Sequence, residues 1–350
     1  MKYIHTLRSN NGTAWVLLVV SIVIIGLVTT LLIYFKGDIF SSSESVTAIP
    51  IKIGVSKTPL SAPFYVAQAR DIFVKNGLDV TVVEYLGGNR ALTGLLDGDV
   101  SYSTTSDLPI MYNSFTRDDY EVLTTFVTSS NDPKLGYLNS SRILSVQDLV
   151  GKRIAVTKGS SGEYFLYTFL LINNIDISTV ILVDTPPEQM TDALKTNQVD
   201  VVATWEPFAY NLSRDLGAEN ISYFEGSSEI YTETFNLVSS VSFSNENPEA
   251  SKRLLISLKE AIDYINQNPE DSKNIVKERL EQSPEFMNWI WDDLAFRLTL
   301  DPSLLLTLKN EAKWAINYGL VPYHVVPSYS VFINSSFLNE VSPPSVTLIN

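Results

Sequence analysis

The sequence predicts an α/β protein with two similar units, preceded by one membrane-spanning helix. Strand-like and helix-like segments alternate between residues 50 and 130, and the same alternation restarts between 135 and 240. Strands that alternate with helices at this spacing indicate crossover units around a largely parallel sheet. The spanning helix is predicted from an uncharged run at 14–35.

The composition narrows the classes of function. The chain has 350 residues, a formal net charge of −14 and no cysteine. Such an acidic chain lacks the basic surface that nucleic-acid binding requires. A chain without cysteine has no disulfides, thiolate zinc sites, cysteine nucleophiles or lipid-modified N-terminal cysteine. Because His5 and His324 are the only histidines, we expect neither a metal site nor a cofactor.

The run at 14–35 is long enough to cross a membrane. As a helix it would span about 33 Å, against a hydrocarbon core of about 30 Å. No small-residue cleavage site follows it, so we expect an anchor rather than the alternative, a removed signal peptide. Lys2 and Arg8 precede the run, which predicts a cytoplasmic segment at 1–13 and an extracytoplasmic remainder in a single-pass membrane protein. The serine-rich stretch at 36–49 is expected to be a flexible linker.

The first unit is predicted to contain four strands and the helices between them. Gly77 and Gly98 supply helix stops at suitable positions, and Ser106 is a candidate helix cap. The predicted strands are 51–55, 78–85, 100–104 and 121–129, and the predicted helices are 63–76, 90–97 and 106–111.

The second unit repeats this order, and a helical region follows it. Ser160 with Glu163, and Thr185 with Glu188, have the spacing of capping boxes. The predicted strands are 153–157, 180–183, 199–203, 221–224 and 236–242, and the helices begin near 145, 160 and 185. Further helices are expected after Pro248, including 270–281, 284–297 and 303–318, whereas 330–350 is expected to be a loose tail.

Small and polar residues follow the predicted strands, at the sheet edge where open α/β folds bind ligands. Hydroxyls, backbone amides at a helix start and an aromatic wall suit a small oxyanion with an organic body. No set of nucleophile, base and orienting group is visible, so we do not expect an enzyme. The candidate ligand-binding residues are Ser56, Thr58, Gly87, Gly88, Ser103, Thr104, Thr105, Ser106, Ser160, Ser161, Gly162, Glu163, Tyr164, Trp205 and Glu206.

Several of these residues also have a purely structural interpretation. In that interpretation Ser160 is merely a helix cap, Trp205 belongs to the core, and Glu206 hydrogen-bonds the backbone. Glu163 has two alternatives: it folds back onto the amide of Ser160, or it meets a ligand ammonium, which would favour a taurine-like molecule.

A series of short motifs in a fixed order supports a more specific interpretation. The series comprises Ile53-Gly54-Val55 with Pro63-Phe64-Tyr65-Val66-Ala67, Phe73 to Val80, Gly87-Gly88 with Ala91-Leu92, Leu96 to Pro109, Gly151 to Val156, Gly159 to Leu166, Pro186 to Asp200 and Trp205-Glu206-Pro207. In order and spacing it resembles the extracytoplasmic solute-binding proteins of nitrate, sulfonate and taurine ABC importers. That family is related in fold to the thiamine-pyrimidine synthases, and the resemblance covers about 50–320.

The resemblance implies the type II periplasmic-binding-protein fold, with a ligand cleft between two lobes joined by two crossovers. The expected lobes are 50–130 plus 245–329 and 131–244. The implied function is delivery of a small anion to an ABC permease and its ATPase by a monomeric receptor, with sulfonate or taurine ahead of nitrate or bicarbonate because Trp205 suits an organic body. The alternatives are an enzyme on the same fold, such as a pyrimidine synthase or small dehydratase, and a tethered sensor. The histidine- and cysteine-containing motifs of the synthase branch are missing here.

Overall fold

The computed structural model describes residues 15–16, 19–20, 22–27, 48–224 and 230–348. Two compact units are present, Met1–Thr47 and Ala48–Asn350. The described residues of the first unit are helical. Much of the predicted span at 14–35, the segment at 1–13 and nearly all of the predicted linker lie outside the described residues. Among the residues that are described, no helix is both long and apolar enough to cross a membrane.

The compact unit Ala48–Asn350 contains two mixed β-sheets. In sheet order, the first has six strands, β11-β4-β10-β3-β1-β2, and the other has five, β7-β6-β8-β5-β9. The strands are β1 (Ile49–Ser56), β2 (Leu78–Tyr85), β3 (Tyr102–Ser106), β4 (Tyr120–Ser129), β5 (Lys134–Leu138), β6 (Arg153–Val156), β7 (Ile181–Asp184), β8 (Val201–Thr204), β9 (Ile221–Tyr223), β10 (Glu233–Ser240) and β11 (Leu294–Thr299).

The predicted parallel pairing holds only for part of each sheet. Strand β1 pairs in parallel with β2 and β3, and β6 does so with β7 and β8. Strand β10 is antiparallel to β3 and β4, and β5 is antiparallel to β8 and β9. Strands β5 and β10 each come directly after a segment that passes from one sheet to the other. Each therefore runs in the direction opposite to that of the strands it pairs with.

The helices cover the faces of the two sheets. They are α1 (Ala62–Ala69), α2 (Ile72–Lys75), α3 (Gly88–Leu96), α4 (Asp107–Asn113), α5 (Ser161–Ile172), α6 (Met190–Lys195), α7 (Phe208–Leu216), α8 (Val241–Glu246), α9 (Pro248–Gln267), α10 (Pro269–Leu280), α11 (Pro284–Ile290), α12 (Pro302–Asn317) and α13 (Ser336–Val341). Helices α9 and α10 pack on α1, and α12 packs on α4. The C-terminal helices therefore complete the first lobe.

Each lobe has its own hydrophobic core. The core of the first lobe includes Ile53, Phe64 and Phe126. In the second lobe, neighbouring residues of β6 point to opposite faces, because side chains alternate along a strand. Ile154 packs with the α5 side of the sheet, and Ala155 packs with the α6 side.

The structure corrects several element predictions. The predicted helix 63–76 is broken at Asp71, whose φ of 56° is left-handed. The segment predicted as helix up to 297 contains β11, in which buried and exposed residues alternate as a strand requires. Strand β10 lies within the range expected for the second lobe but pairs with the first sheet.

The expected loose tail at 330–350 packs against the first lobe instead. Phe332, Phe337 and Leu338 are buried there, and Asn334 donates a backbone hydrogen bond to Val122. Three apolar side chains spaced among serines and asparagines give too weak a periodic pattern to predict this packing.

Candidate functional site

A small cavity lies between the two lobes, at the carboxyl ends of β1 and β3. It encloses about 20 Å³, and one water molecule needs roughly 10–15 Å³ on the same measure. In this conformation the cavity therefore has room for about one or two water molecules, and a larger ligand requires the lobes to be further apart. The cavity is lined by Ser56, Thr58, Leu60, Gly88, Asn89, Ser106, Pro109, Asp132, Ser160, Ser161, Trp205, Glu233 and Phe235.

The first lobe contributes hydroxyls that have no intramolecular role. Ser56 is fixed through its backbone, since its N–H donates to Thr104 Oγ1 at 2.9 Å and its carbonyl accepts from Ser61 Oγ at 2.8 Å. The hydroxyls of Ser56 and Thr58 are buried and have no hydrogen-bond partner within the described ranges. Buried polar groups are normally paired, so these two hydroxyls are available to a ligand.

The Gly87-Gly88 turn brings the start of α3 against β3. A Cβ at Gly88 would lie 2.8 Å from Thr105 Cα, and Gly87 has a φ of +101°. Glycine is therefore required at both positions, one for close approach and the other for its backbone conformation. Gly88 lines the cavity, whereas Gly87 only shapes the turn.

The polar stretch at 103–106 is strand β3 rather than a turn after a strand. The Thr104 hydroxyl accepts a hydrogen bond from the backbone N–H of Ser56, and Ser103 is fully buried. Of the four residues in this stretch, Ser106 lines the cavity. Ser106 also precedes α4 but makes no side-chain cap; Asp107 Oδ1 instead accepts from the N–H of Leu108 at 2.9 Å.

The glycine-serine turn of the second lobe differs from the predicted capping box. Ser160 Oγ donates to the Thr157 carbonyl at 2.6 Å, and Glu163 Oε2 accepts from the N–H of Gly159 at 2.8 Å rather than from Ser160. Tyr112 of the first lobe donates to the same carboxyl oxygen at 3.4 Å. Burial raises the pKa of Glu163. Glu163 thus closes its own turn and links the lobes, and it lies outside the cavity lining.

The second predicted capping box, at Thr185 and Glu188, is also wrong. Thr185 Oγ1 donates to the Val183 carbonyl at 3.0 Å. Glu188 Oε1 instead accepts from Arg90 of the first lobe at 3.1 Å. A tertiary ion pair has replaced the local cap.

Trp205 and Glu206 are neighbours in sequence but lie in different environments. Trp205 lines the cavity and is 9% exposed. Glu206 is fully buried beside it and pairs with Lys134 Nζ at 3.1 Å. It also accepts from Trp289 Nε1 at 2.7 Å and from the N–H of Tyr210 at 2.9 Å. Glu206 is therefore part of a satisfied internal network.

The predicted site residues accordingly divide into two groups. Those around the cavity are Ser56, Thr58, Gly88, Ser106, Ser160, Ser161 and Trp205; those outside its lining are Gly87, Ser103, Thr104, Thr105, Gly162, Glu163, Tyr164 and Glu206. Tyr164 packs edge-on against Tyr231 and Trp314. Gly162 lies close to the backbone of Ala203.

Two acidic residues of the cavity were not predicted from the sequence. Asp132 lies between β4 and β5, and Glu233 begins β10. They are 2% and 3% exposed, and their carboxyls face each other. One feature of the sequence could have identified them, namely their position on the two segments that join the lobes. Such segments leave and enter the sheets at the cleft.

Burial dominates the electrostatics of these two acids. It raises the pKa of Asp132 to about 7, helped by the charge of Glu206 and opposed by Lys134. Burial also raises the pKa of Glu233 well above its usual value, and the nearby charges of Asp132 and Asp107 add to the effect. Two carboxyls in contact do not both ionise readily, so they share a proton near neutral pH.

The cavity lining contains no lysine or arginine among the described residues. Lys134, close to Asp132 in the chain, is 6% exposed and is held by Glu206 and by the Asn131 carbonyl. Within the described parts of the chain, no cluster of histidine, aspartate and glutamate could hold a metal ion. The site therefore offers hydroxyls, an indole face and two carboxyls.

Two α/β lobes that meet at a cleft lined by polar groups from both, and that are joined by crossover segments, define a periplasmic-binding-protein fold. Residues 58–272 match the family model described as "NMT1/THI5 like". Because this range covers more than half of the chain, the protein belongs to the NMT1/THI5-like family.

Known relatives agree with this assignment. The chain is 26% identical over 209 residues to a putative aliphatic sulfonates-binding protein of Bacillus subtilis, covering 59% of this chain and 62% of the relative. It is 26% identical over 166 residues to the taurine-binding periplasmic protein of Escherichia coli, covering 47% and 51%. It thus spans less than two thirds of either relative.

A solved structure supports the fold over a larger part of the chain. The alkanesulfonate-binding protein SsuA from Xanthomonas axonopodis pv. citri, bound to MOPS, superposes with a TM-score of 0.70 at 18% identity. The match covers 82% of this chain and 98% of that protein. At this identity the likeness concerns the fold alone.

Proposed function

We propose that this protein is the extracytoplasmic substrate-binding component of an ABC importer. Its ligand is a small organic oxyanion, with the sulfonate or taurine type favoured over nitrate and bicarbonate. The names of the Bacillus and Escherichia relatives support this class of ligand.

The observation that carries the proposal is the convergence of donors from both lobes on one cavity. The Ser56 and Thr58 hydroxyls approach from the first lobe without partners of their own. Ser160 and Ser161 approach from the second lobe at the start of α5, a twelve-residue helix. Helix starts favour anions through their free amides and dipole, and three sulfonate oxygens can use donors from several directions.

Trp205 supports an organic body over a bare inorganic ion. Its indole lines the cavity and is nearly buried. A nitrate or bicarbonate ion gains little from such a face, whereas the methylene groups of an alkanesulfonate gain apolar contact.

Ligand binding is coupled to closure of the two lobes. A ligand that touches both lobes has more contacts in the closed state and so shifts the population towards it. Tyr112 with Glu163, and Arg90 with Glu188, are contacts between the lobes that accompany this state. The closed form then docks on a permease that is driven by a cytoplasmic ATPase, and the run at 14–35 anchors the receptor in the membrane.

Thermal unfolding in the presence of a ligand panel tests the proposal. Taurine, ethanesulfonate, nitrate and bicarbonate are added to the purified full chain. A sulfonate at 100 times its Kd should stabilise the fold by about 2.7 kcal/mol, and the ligand should be recovered unchanged. No response to any of these compounds would contradict the proposal, and turnover of a bound ligand would favour an enzyme instead.

A further inference from the structure

We propose that Asp132 and Glu233 form a binding subsite for a protonated amine of the ligand. The site then takes a zwitterion in which an ammonium group lies a short aliphatic chain away from the sulfonate. This inference rests on the proposed function and specifies its substrate class further.

The geometry of the two acids supports a ligand-facing role. Both line the cavity. Asp132 Oδ2 and Glu233 Oε2 are buried, and no described N–H or O–H group donates to either. The Ser161 hydroxyl faces Glu233. Buried carboxylates are normally satisfied by donors, and an ammonium group between these two oxygens would supply them.

Two other buried acids, Glu206 and Asp107, differ from the pair, whereas Glu311 also lacks donors among the described residues but lies outside the cavity lining. Glu206 is paired with Lys134 and bonded by Trp289 and Tyr210. Asp107 accepts from the N–H of Leu108, and from both the N–H and the hydroxyl of Thr234 at 3.2 and 3.1 Å. Glu206 and Asp107 therefore have their own donors within the protein, whereas Asp132 Oδ2 and Glu233 Oε2 have none among the described residues.

The charge balance of the cavity also requires a cation. A sulfonate beside two carboxyls would collect negative charge in a buried space, and burying charge without a partner is unfavourable. The described lining contains no basic side chain. When the pair holds a single proton it carries one negative charge, and an ammonium group would neutralise that charge, while the hydroxyls and the start of α5 face the sulfonate.

The groups that face the pair set the direction of any pH dependence. Glu206 and Lys134 face Asp132, whereas Asp107, Glu311 and the phenol of Tyr231 lie around Glu233. Lys134 is already neutralised by Glu206. Burial keeps a proton on both carboxyls at pH 5, so the amine must displace one of these protons there, and its affinity should increase as the pH rises from 5 to 8.

Calorimetric titration of the full chain with matched ligands tests this inference. 2-Aminoethanesulfonate and ethanesulfonate share the sulfonate but differ in the amine, and ethylamine carries the amine alone. We expect 2-aminoethanesulfonate to bind at least tenfold more tightly than ethanesulfonate and to release a proton on binding. The comparison uses the unaltered protein, so it does not depend on the folding of a variant.

Two conservative variants sharpen the test. Glu233→Gln should remove most of the preference for the amine while ethanesulfonate still binds. Glu121→Gln is the matched control, because it also replaces a buried glutamate but lies outside the cavity lining and away from the groups that face the pair, and it should keep the preference.

The outcomes separate this inference from the proposed function. Equal or tighter binding of ethanesulfonate would overturn the amine subsite and leave the sulfonate receptor intact. Binding of ethylamine but of neither sulfonate would support the subsite and contradict the sulfonate receptor. A protein that binds none of the three compounds would contradict both.

Discussion

The two faces of the cavity differ in chemistry and in origin. One face is made of hydroxyls and a helix start, from Ser56, Thr58, Ser160 and Ser161, and these residues lie at or just beyond the ends of strands within the lobes. The other face is the carboxyl pair of Asp132 and Glu233 on the two connecting segments. Under the proposals above, the lobes supply groups for the proposed oxyanion and the connections supply groups for the proposed ammonium.

The largest expected effect is a loss of stability when Glu206, an acid outside the cavity lining, is replaced. Glu206→Ala leaves Lys134 buried without its carboxylate, so we expect a loss of about 3–5 kcal/mol in the free energy of unfolding. Urea denaturation measures this loss. Glu233→Gln is the comparison, since it should cost much less stability; equal losses would mean that the two acids have the same structural role.

The second prediction concerns the pH dependence of stability. The pKa of Asp132 is raised to about 7 in the folded protein, so its contribution is fully present below the pKa of the unfolded chain, near 4. That contribution is lost as the pH rises through about 7. We expect the unfolding free energy to fall between pH 5 and pH 8, by on the order of 2–4 kcal/mol from this pair.

Asp132→Asn provides the control for the pH prediction. The amide cannot ionise, so the difference in unfolding free energy between pH 5 and pH 8 should become smaller. An unchanged slope in the variant would show that the carboxyl pair is not the group that titrates.

The third prediction concerns the hydroxyl face. Ser56→Ala with Thr58→Val removes two hydroxyls that have no intramolecular partner in the described structure. Each hydrogen bond to a charged ligand contributes about 1.5–3 kcal/mol, so sulfonate affinity should fall more than tenfold. Unfolding without ligand should be nearly unchanged. A large loss of stability with normal affinity would assign these hydroxyls to the core.

The contrast between the faces also explains how much could be predicted from the sequence. The polar residues after β1 and at the start of α5 were predicted because they follow strong strand patterns. Asp132 lies in the sequence Asn131-Asp132-Pro133, which has the composition of an ordinary loop. Its importance depends on the position of the interlobe connection, which no local pattern encodes.

Glu163 illustrates a second limit of the sequence. Its spacing from Ser160 predicted a capping box, but the left-handed Gly159, with a φ of 72°, turns its own N–H towards the carboxylate. The bond from Tyr112 then comes from a different lobe. The tertiary contact and the local backbone conformation together decided the role of this residue.

The smallest expected effect concerns the rim of the cleft. Arg90 and Glu188 form an exposed ion pair between the lobes, at 3.1 Å. Exposed pairs contribute about 0.2–1 kcal/mol, so Arg90→Ala should weaken ligand binding less than about fivefold. The effect should shrink further at high salt, which calorimetry at two ionic strengths can measure.

A crystal structure with bound 2-aminoethanesulfonate tests most directly whether the cavity has one face for the sulfonate and another for the amine. The account predicts sulfonate oxygens within hydrogen-bond distance of Ser56, Thr58 and the start of α5, and the amine nitrogen between Asp132 and Glu233. A ligand bound in the opposite orientation, or outside the cleft between the lobes, would contradict it.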